Sequence, residues 1–350
     1  MLNAFYRPST LLLVLACIGA AVWSRAAPEG GPARAAASLG SEALCAANGG
    51  LPPGWGSDVH AGMVRVPDGD FVFGSTRGYL DERPADGERR HVSAFWIDRT
   101  EVTNAQFERF VHATGYVTQA EREGAAVVFH TPGEDELGRR PYAWWNYVRG
   151  ADWKRRDGPA ADGNLPAAPP PNQPVVMVTQ ADALAYARWL GRDLPTEAEW
   201  EYAGKAGRDG EELDTAPLDG AGRPAANYWQ GPFPLADLAA DGHAGLAPVG
   251  CYAPNAFGLY DMIGNAWEWT RDPYEGPRQP HMNGDTAAVA TAAGATAASA
   301  PRPDRPTVIK GGSFLCSPDY CVRYRAAARE SQEADLGASH IGFRTVLRAP

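Results

Sequence analysis

The stretch Gly311-Gly312-Ser313-Phe314-Leu315-Cys316-Ser317-Pro318-Asp319-Tyr320-Cys321-Val322-Arg323-Tyr324-Arg325 constrains this chain more than any other. It carries two of the five cysteines, Cys316 and Cys321. On a straight strand their odd spacing puts the thiols on opposite faces, and on a helix it leaves them well off axis from one another. Pro318 and Asp319 are turn formers, so the backbone can fold back and bring the sulfurs together. Gly311-Gly312 supplies room for a close approach or for positive φ. Arg323, Arg325 and Arg329 follow closely, and guanidinium charge near a thiol favours the thiolate. Two converging sulfurs suit a soft ion such as Cu(I), a redox couple, or a local disulfide, the commonest use of cysteine pairs in exported chains. Spacing alone leaves all three open.

With 350 residues the chain has material for one large domain or two small ones. Its 39 glycines and 30 prolines point to a loop-rich fold rather than a bundle. A formal net charge of -10 without any Lys/Arg run argues against nucleic acid and anionic membrane surfaces as partners. Arg7 precedes an apolar run, residues 11–23, with the length of a signal h-region and short for a membrane span. Ser24-Arg25-Ala26 before Ala27 fits a cleavage site. Residues 1–26 thus read as a signal peptide, or alternatively as an N-terminal anchor tethering the protein to the inner membrane. Lipidation of Cys17 is disfavoured because the apolar run continues past it. Export places the protein in the periplasm or outside the cell. The Ala/Gly/Pro-rich residues 27–59 are expected to be a disordered linker, and 60–349 the compact domain. After leader removal Cys45, Cys251, Cys316 and Cys321 remain, an even count whose pairing is undetermined.

Along the chain, residues 70–74 and 95–98 read as strands bounded by turn residues. Thr103 is a helix N-cap, with Phe107, Phe110 and Val111 on the apolar face and Gly115 at the stop. Trp144, Trp145, Tyr147 and Trp153 lie in a poorly periodic aromatic stretch of the core or lid type. Residues 174–178 read as a short buried strand. Thr179 caps a helix running to Leu190, and Thr196 with Glu199 forms a capping box for another. The acidic Glu197, Glu199 and Glu201 are explained by that helix N-terminus. Residues 245–250 and 257–262 read as turn-and-strand material, and 287–303 as a low-complexity insertion.

Several of these segments resemble one family. Gly311-Gly312-Ser313-Phe314-Leu315-Cys316 with Tyr320-Cys321-x-Arg323-Tyr324-Arg325-x-Ala327-Ala328-Arg329 is similar to the active-site segment of the formylglycine-generating enzymes, the sulfatase-modifying factors. LPTEAEWEYA at 194–203 and FGLYDMIGNAWEWT at 257–270 resemble further motifs of the family, in the right order. The resemblance covers most of residues 60–348. It implies a mixed α/β fold with low regular secondary structure, the formylglycine-generating enzyme fold, a variant of the C-type lectin-like fold. Many members of the wider family lack one or both cysteines, so the intact pair is the discriminating feature.

The resemblance implies a copper-dependent, O2-using oxidase that converts a cysteine of a substrate protein to Cα-formylglycine. The substrate is a sulfatase-type chain carrying a Cys-x-Pro-x-Arg-like motif. Cys316 and Cys321 become Cu(I) ligands and catalytic residues, with Ser313 at the oxygen pocket. Tyr320, Arg329 and His340 line the substrate cleft, His340 standing where vertebrate relatives carry Asn. Two Ca2+ sites are implied. One uses Asn227, Tyr228, Asp241 and His243, and the other Asp261, Gly264, Ala266 and Glu268, a hard-oxygen mixture suited to calcium. The chain departs from its vertebrate relatives at two disulfide positions, Ala187 with Thr345 and Gly204 with Ala326. It also departs at Gly124-Ala125-Ala126-Val127, which lacks the side chains that meet the substrate's basic residue. The competing class is a non-catalytic lectin-like binding module of the cell envelope. Iron-dependent sulfur-oxidising relatives, with their His-rich extra domain, fit less well.

Overall fold

A computed structural model of the chain describes residues 39–83, 88–160, 167–209, 217–276 and 305–348. The expected leader, the start of the expected linker and the low-complexity insertion lie outside the described residues. Elements run in the order α1 (Glu42–Ala46), β1 (Met63–Val66), β2 (Gly69–Val72), β3 (Arg89–Val92), β4 (Phe95–Asp98), α2 (Asn104–Thr114), α3 (Gln119–Glu123) and β5 (Ala125–Phe129). They continue with α4 (Glu134–Leu137), β6 (Trp145–Arg149), α5 (Gln180–Trp189), α6 (Glu197–Lys205), β7 (Trp267–Pro273), β8 (Pro306–Lys310), β9 (Arg329–Glu333), β10 (Ile341–Gly342) and β11 (Val346–Arg348). This is mixed α/β with long irregular connections, as the composition implies.

Threonines set the helix starts. Thr103 with Gln106, Thr179 with Asp182, and Thr196 with Glu199 form reciprocal capping boxes at α2, α5 and α6. Thr118 with Glu121 does the same for α3, a helix too short to show in the sequence periodicity. Each such cap is worth about 1 kcal/mol. Gly115 ends α2 in the left-handed region at φ 67°, where a Cβ would be strained.

Residues 174–178 are buried, as expected, but form no strand. Val175 donates to Val102 O and Met177 to Ala338 O, so alternate residues bond to two different segments and no ladder runs. Residues 245–250 and 257–262 likewise stay irregular. Their polar groups go to side chains of neighbouring loops, such as Ala247 N–H to Asn265 Oδ1 and Gly250 N–H to Asp261 Oδ2.

The linker expectation is corrected over residues 39–59. Cys45 forms a disulfide with Cys251. Gly40 donates to Gly250 O, Asn172 to Cys45 O, and Thr103 Oγ1 to Gly50 O. Composition suggests a linker here, but the cross-link and core partners order it.

The sheet that positions the cysteines has the order β10-β7-β8-β9. β7, β8 and β9 are antiparallel neighbours, and β10 joins β7 in parallel. The cysteine stretch is the connection from β8 to β9. One apolar cluster, including Phe107, Tyr186, Trp267, Trp269 and Phe343, packs against that connection and includes Cys316. A second, around Phe71, Phe95, Ile97 and Trp200, covers α6 and the β1-β4-β11 sheet.

Candidate active site

The turn after β8 is built on two glycines. Gly311 and Gly312 take φ 95° and 81°. A Cβ on Gly312 would lie 2.6 Å from Arg323 O, so only glycine lets the two limbs of the cysteine loop close on each other. Cys316 is anchored through its backbone: Cys316 N–H donates to Ser313 O at 3.0 Å, and Trp229 N–H to Cys316 O at 2.9 Å. Its side chain is buried, while Cys321 is partly exposed. The two sulfurs are 3.4 Å apart and unbonded.

Their environment separates the two thiols. Burial opposes ionisation of Cys316, but the Cys321 S–H, the N–H groups of Ser313 and Arg323, and the Arg323 charge outweigh it and hold the thiol below its ordinary range. The hydrogen bond to Cys316 pushes the Cys321 thiol far up, aided by burial and by repulsion from Cys316. Cys316 is therefore the more acidic of the two thiols, with Cys321 donating to it. Of the three arginines after the pair, Arg323 contributes charge at the thiol, yet it is itself paired with Asp81, Glu82 and Glu330.

Ser313 is fully buried beside the pair; its N–H lies 3.5 Å from Cys316 Sγ and its Oγ accepts from Leu315 N–H. Tyr320 is exposed and stacks on Phe233 at 4.5 Å and 9°. Trp144 packs edge-on against both rings. Trp229 and Phe129 continue the same wall from Phe233, and Phe129 leads on to Trp145. His340 closes it, its ring 4.7 Å from Trp145, and burial pushes its imidazole down to about 3, so it is neutral at ordinary pH. Its Nδ1 is buried and accepts or donates no hydrogen bond among the described residues. Arg329 sits apart from this wall at the start of β9. Its guanidinium is buried and committed to Glu197, at 2.8 Å, and to Gly276 O, at 2.8 Å. Trp144 and Trp145 are thus half-buried wall residues, Trp145 also packing against the first apolar cluster. Phe233, Tyr79 and Glu82 carry no local sequence signal, because their roles come from contacts distant in the chain.

The two candidate calcium sets lie in neighbouring loops. In the first, Asp241 accepts from Tyr228 N–H at 3.1 Å, His243 N–H at 3.0 Å and Gln230 Nε2 at 2.8 Å. Asn227 gives its amide hydrogens to Gly245 O and Asn265 Oδ1, and its own Oδ1 is buried without a donor. In the second, Glu268 is fully buried and takes both Arg344 Nε and Nη2 at 2.6 Å, plus Trp200 Nε1 at 2.6 Å. Asp261 accepts from Gly250 N–H at 2.6 Å. The backbone reaches this corner through Gly264, where a Cβ would lie 2.2 Å from Asn227 O. Glu101, absent from the sequence reading, stands beside Asp261 and keeps one oxygen, Oε2, buried and unpartnered. Burial first, and repulsion from Asp261 next, push Glu101 well up; burial pushes Asp261 up to about 6. Three buried carboxyls thus face one guanidinium. That surplus of carboxyl oxygen, whose charged forms are disfavoured with one guanidinium alone, and the orphaned Asn227 oxygen fit a hard divalent cation. The 3.4 Å thiol pair fits a soft one.

The family of sulfatase-modifying factor enzyme 1-like domains matches residues 56–349. This chain belongs to that family. Among sulfatase-modifying factor relatives, the formylglycine-generating enzyme of Streptomyces coelicolor is 43% identical over 300 residues, spanning 81% of this chain and 88% of that protein. The formylglycine-generating enzyme of Bos taurus is 34% identical over 364 residues, 96% of this chain and 93% of that protein. A protein of Mus musculus named inactive C-alpha-formylglycine-generating enzyme 2 is also 34% identical, over 298 residues, 82% of this chain and 86% of its own. The structure of PvdO from Pseudomonas aeruginosa shares the fold, with TM-score 0.51 and 24% identity over 81% of this chain and 93% of that one.

Proposed function

We propose that this sulfatase-modifying factor protein oxidises a cysteine of a sulfatase-type substrate protein to Cα-formylglycine, with Cu(I) held by Cys316 and Cys321 and O2 as oxidant. The observation that carries the reading is the pair of free sulfurs 3.4 Å apart, one buried and one partly exposed. Copper, when bound, supplies the redox chemistry that O2 needs. Taking a CH2–SH carbon to an aldehyde breaks a Cβ–H and the C–S bond, removes two electrons and releases sulfide. Reducing O2 to water takes four electrons, so a thiol reductant supplies the other two.

The chain's own residues do the rest. Cys316 is the more readily ionised thiol, and Cys321, which donates to it, must also lose its proton before both sulfurs can act as ligands. The Phe233–Tyr320–Trp144 wall stands beside Cys321 and offers an apolar surface to the incoming peptide. Ser313 and neutral His340 provide polar atoms there without adding charge. Arg329 supports the substrate side indirectly, through its buried ion pair with Glu197. Ca2+ at Asn227, Tyr228, Asp241 and His243, and at Asp261, Gly264, Ala266 and Glu268, ties together the neighbouring irregular loops that carry these residues. The substrate carries a Cys-x-Pro-x-Arg-like motif, although Ala125 and Ala126 are buried in β5 and offer its basic residue nothing. Export is supported by the Cys45–Cys251 disulfide, a bond of oxidising compartments, with the leader either cleaved or retained as a tether.

The test is incubation with Cu(I), O2, a thiol reductant and a Cys-x-Pro-x-Arg peptide, followed by mass spectrometry for the aldehyde. Aldehyde that requires all of these is the expected result. Peptide binding without conversion would instead favour a non-catalytic binding module.

A further inference from the structure

Cys316 is fixed by the core of the domain, but the limb that carries Cys321 is held from elsewhere. After Cys321 the chain runs through Val322, Arg323, Tyr324 and Arg325. Val322 N–H donates to Tyr79 Oη at 3.2 Å. Arg325 donates to Glu82 Oε2 at 2.9 Å from Nε and at 2.5 Å from Nη2. Arg323 Nη1 donates to Glu82 Oε1 at 3.0 Å. Both guanidiniums lie over the Tyr79 ring, at 4.3 Å for Arg323 and 5.4 Å for Arg325. Glu82 is wholly buried and also accepts from Tyr79 N–H, while its own carbonyl takes Ser75 N–H. The tight turn leaves no slack: a Cβ on Gly78 would lie 2.1 Å from Glu82 Oε2.

We propose that Tyr79 and Glu82 are positioning residues that bracket residues 322–325 and so set Cys321 against Cys316. The physical reason is the asymmetry of anchoring. Removing the bracket leaves Cys316 held by Trp229 and Ser313, whereas the Cys321 limb loses both partners of Arg325 and Val322 and keeps the Arg323 contacts to Asp81 and Glu330, the packing of Tyr324 on Tyr228, and the turn bonds of Ser317 N–H and Arg323 N–H to Cys321 O. A carboxylate buried between two arginines is costly unless the geometry is good, and here both of its oxygens are used. The bracket reaches across a sequence separation of 243 residues, so the spacing of the sulfurs depends on a turn in the N-terminal part of the domain.

The proposal rests on Cys316 and Cys321 being the reacting pair, so it is tested by pair geometry, not turnover. The copper-free full chain is treated with oxidised glutathione, which closes the pair to a disulfide and releases two reduced glutathiones. In parallel, iodoacetamide alkylation of single thiols measures their intrinsic reactivity. The ratio of closure rate to alkylation rate reads how well the sulfurs are held. It should fall by about 10²-fold in Glu82→Gln and in Gly78→Ala, the loss expected for a misplacement near 1 Å. Tyr79→Phe, which keeps the ring and loses the hydroxyl, should fall less. Phe95→Leu, a core change of comparable stability cost, should leave the ratio unaltered. If Glu82→Gln does not fold, Gly78→Ala and Tyr79→Phe carry the test. An unchanged ratio in the folded variants, with melting temperature lowered as in Phe95→Leu, would make the bracket merely structural and overturn the proposal. Absence of aldehyde from the wild-type chain would sink the oxidase reading and leave this result standing.

Discussion

Arg344→Met should cost this domain several kcal/mol, and the size follows from what surrounds the side chain. Arg344 is fully buried and donates twice to Glu268 at 2.6 Å, to Asp98 O at 3.2 Å and to Tyr260 O at 3.1 Å. It is the guanidinium facing three buried carboxyls, Glu101, Asp261 and Glu268. Methionine fills similar volume, so the cavity contribution is small. The electrostatic contribution is large, because Glu268 is left with Trp200 Nε1 alone among these donors. Breaking one side of a buried ion pair costs roughly 3–5 kcal/mol. Against a total stability of about 5–15 kcal/mol that is a severe loss, and at roughly 2–4 °C per kcal/mol it lowers the melting temperature by about 6–20 °C. The assay is denaturant and calorimetric unfolding of the full chain at neutral pH, in chelator and in excess Ca2+. If a cation belongs among these carboxyls, Ca2+ recovers part of the loss by taking over the guanidinium's charge. A loss below about 1 kcal/mol, the worth of a surface pair, would refute the buried-charge reasoning.

Three further outcomes are expected. Cys316→Ser and Cys321→Ser should each abolish aldehyde formation while shifting the melting temperature little, measured by mass spectrometry beside calorimetry; full activity in either would remove the paired-ligand reading. Chelation should lower the melting temperature, by an amount equivalent to about 2.7 kcal/mol if Ca2+ had been present at 100 times its dissociation constant, and Asp241→Ala should mimic the effect. His340 binds its proton more weakly in the folded state, at about 3, than in the unfolded chain, near 6.5, so the unfolded state gains protons first on acidification. Its contribution is therefore intact above about pH 6.5 and is lost as pH falls toward 3; His340→Asn should flatten the stability–pH curve in that window, and an unchanged curve would show the imidazole to be solvated.

Much of the fold was legible because local rules decided it. Thr103, Thr179 and Thr196 each cap a helix through their own side chain and the third residue on, an interaction complete within four residues. The reading failed where hydrogen bonds leave the segment. Residues 174–178 have the apolar run of a strand, yet they bond to Val102 on one side and Ala338 on the other. Residues 39–50 have the composition of a linker, yet one cysteine ties them to Cys251.

By itself, the sequence determined that Cys316 and Cys321 could meet, because Pro318-Asp319 turns the chain and Gly311-Gly312 permits the approach. It also supplied the family motifs. Only the tertiary structure decided that the sulfurs remain separate at 3.4 Å and that Cys316 is the more acidic thiol. It alone committed Arg329 to Glu197 and joined Phe233 to Tyr320 in one wall. These outcomes depend on burial and on charges brought together from remote parts of the chain. A thiol's acidity or an arginine's availability is set by what lies within a few ångströms, and spacing along the chain does not encode that.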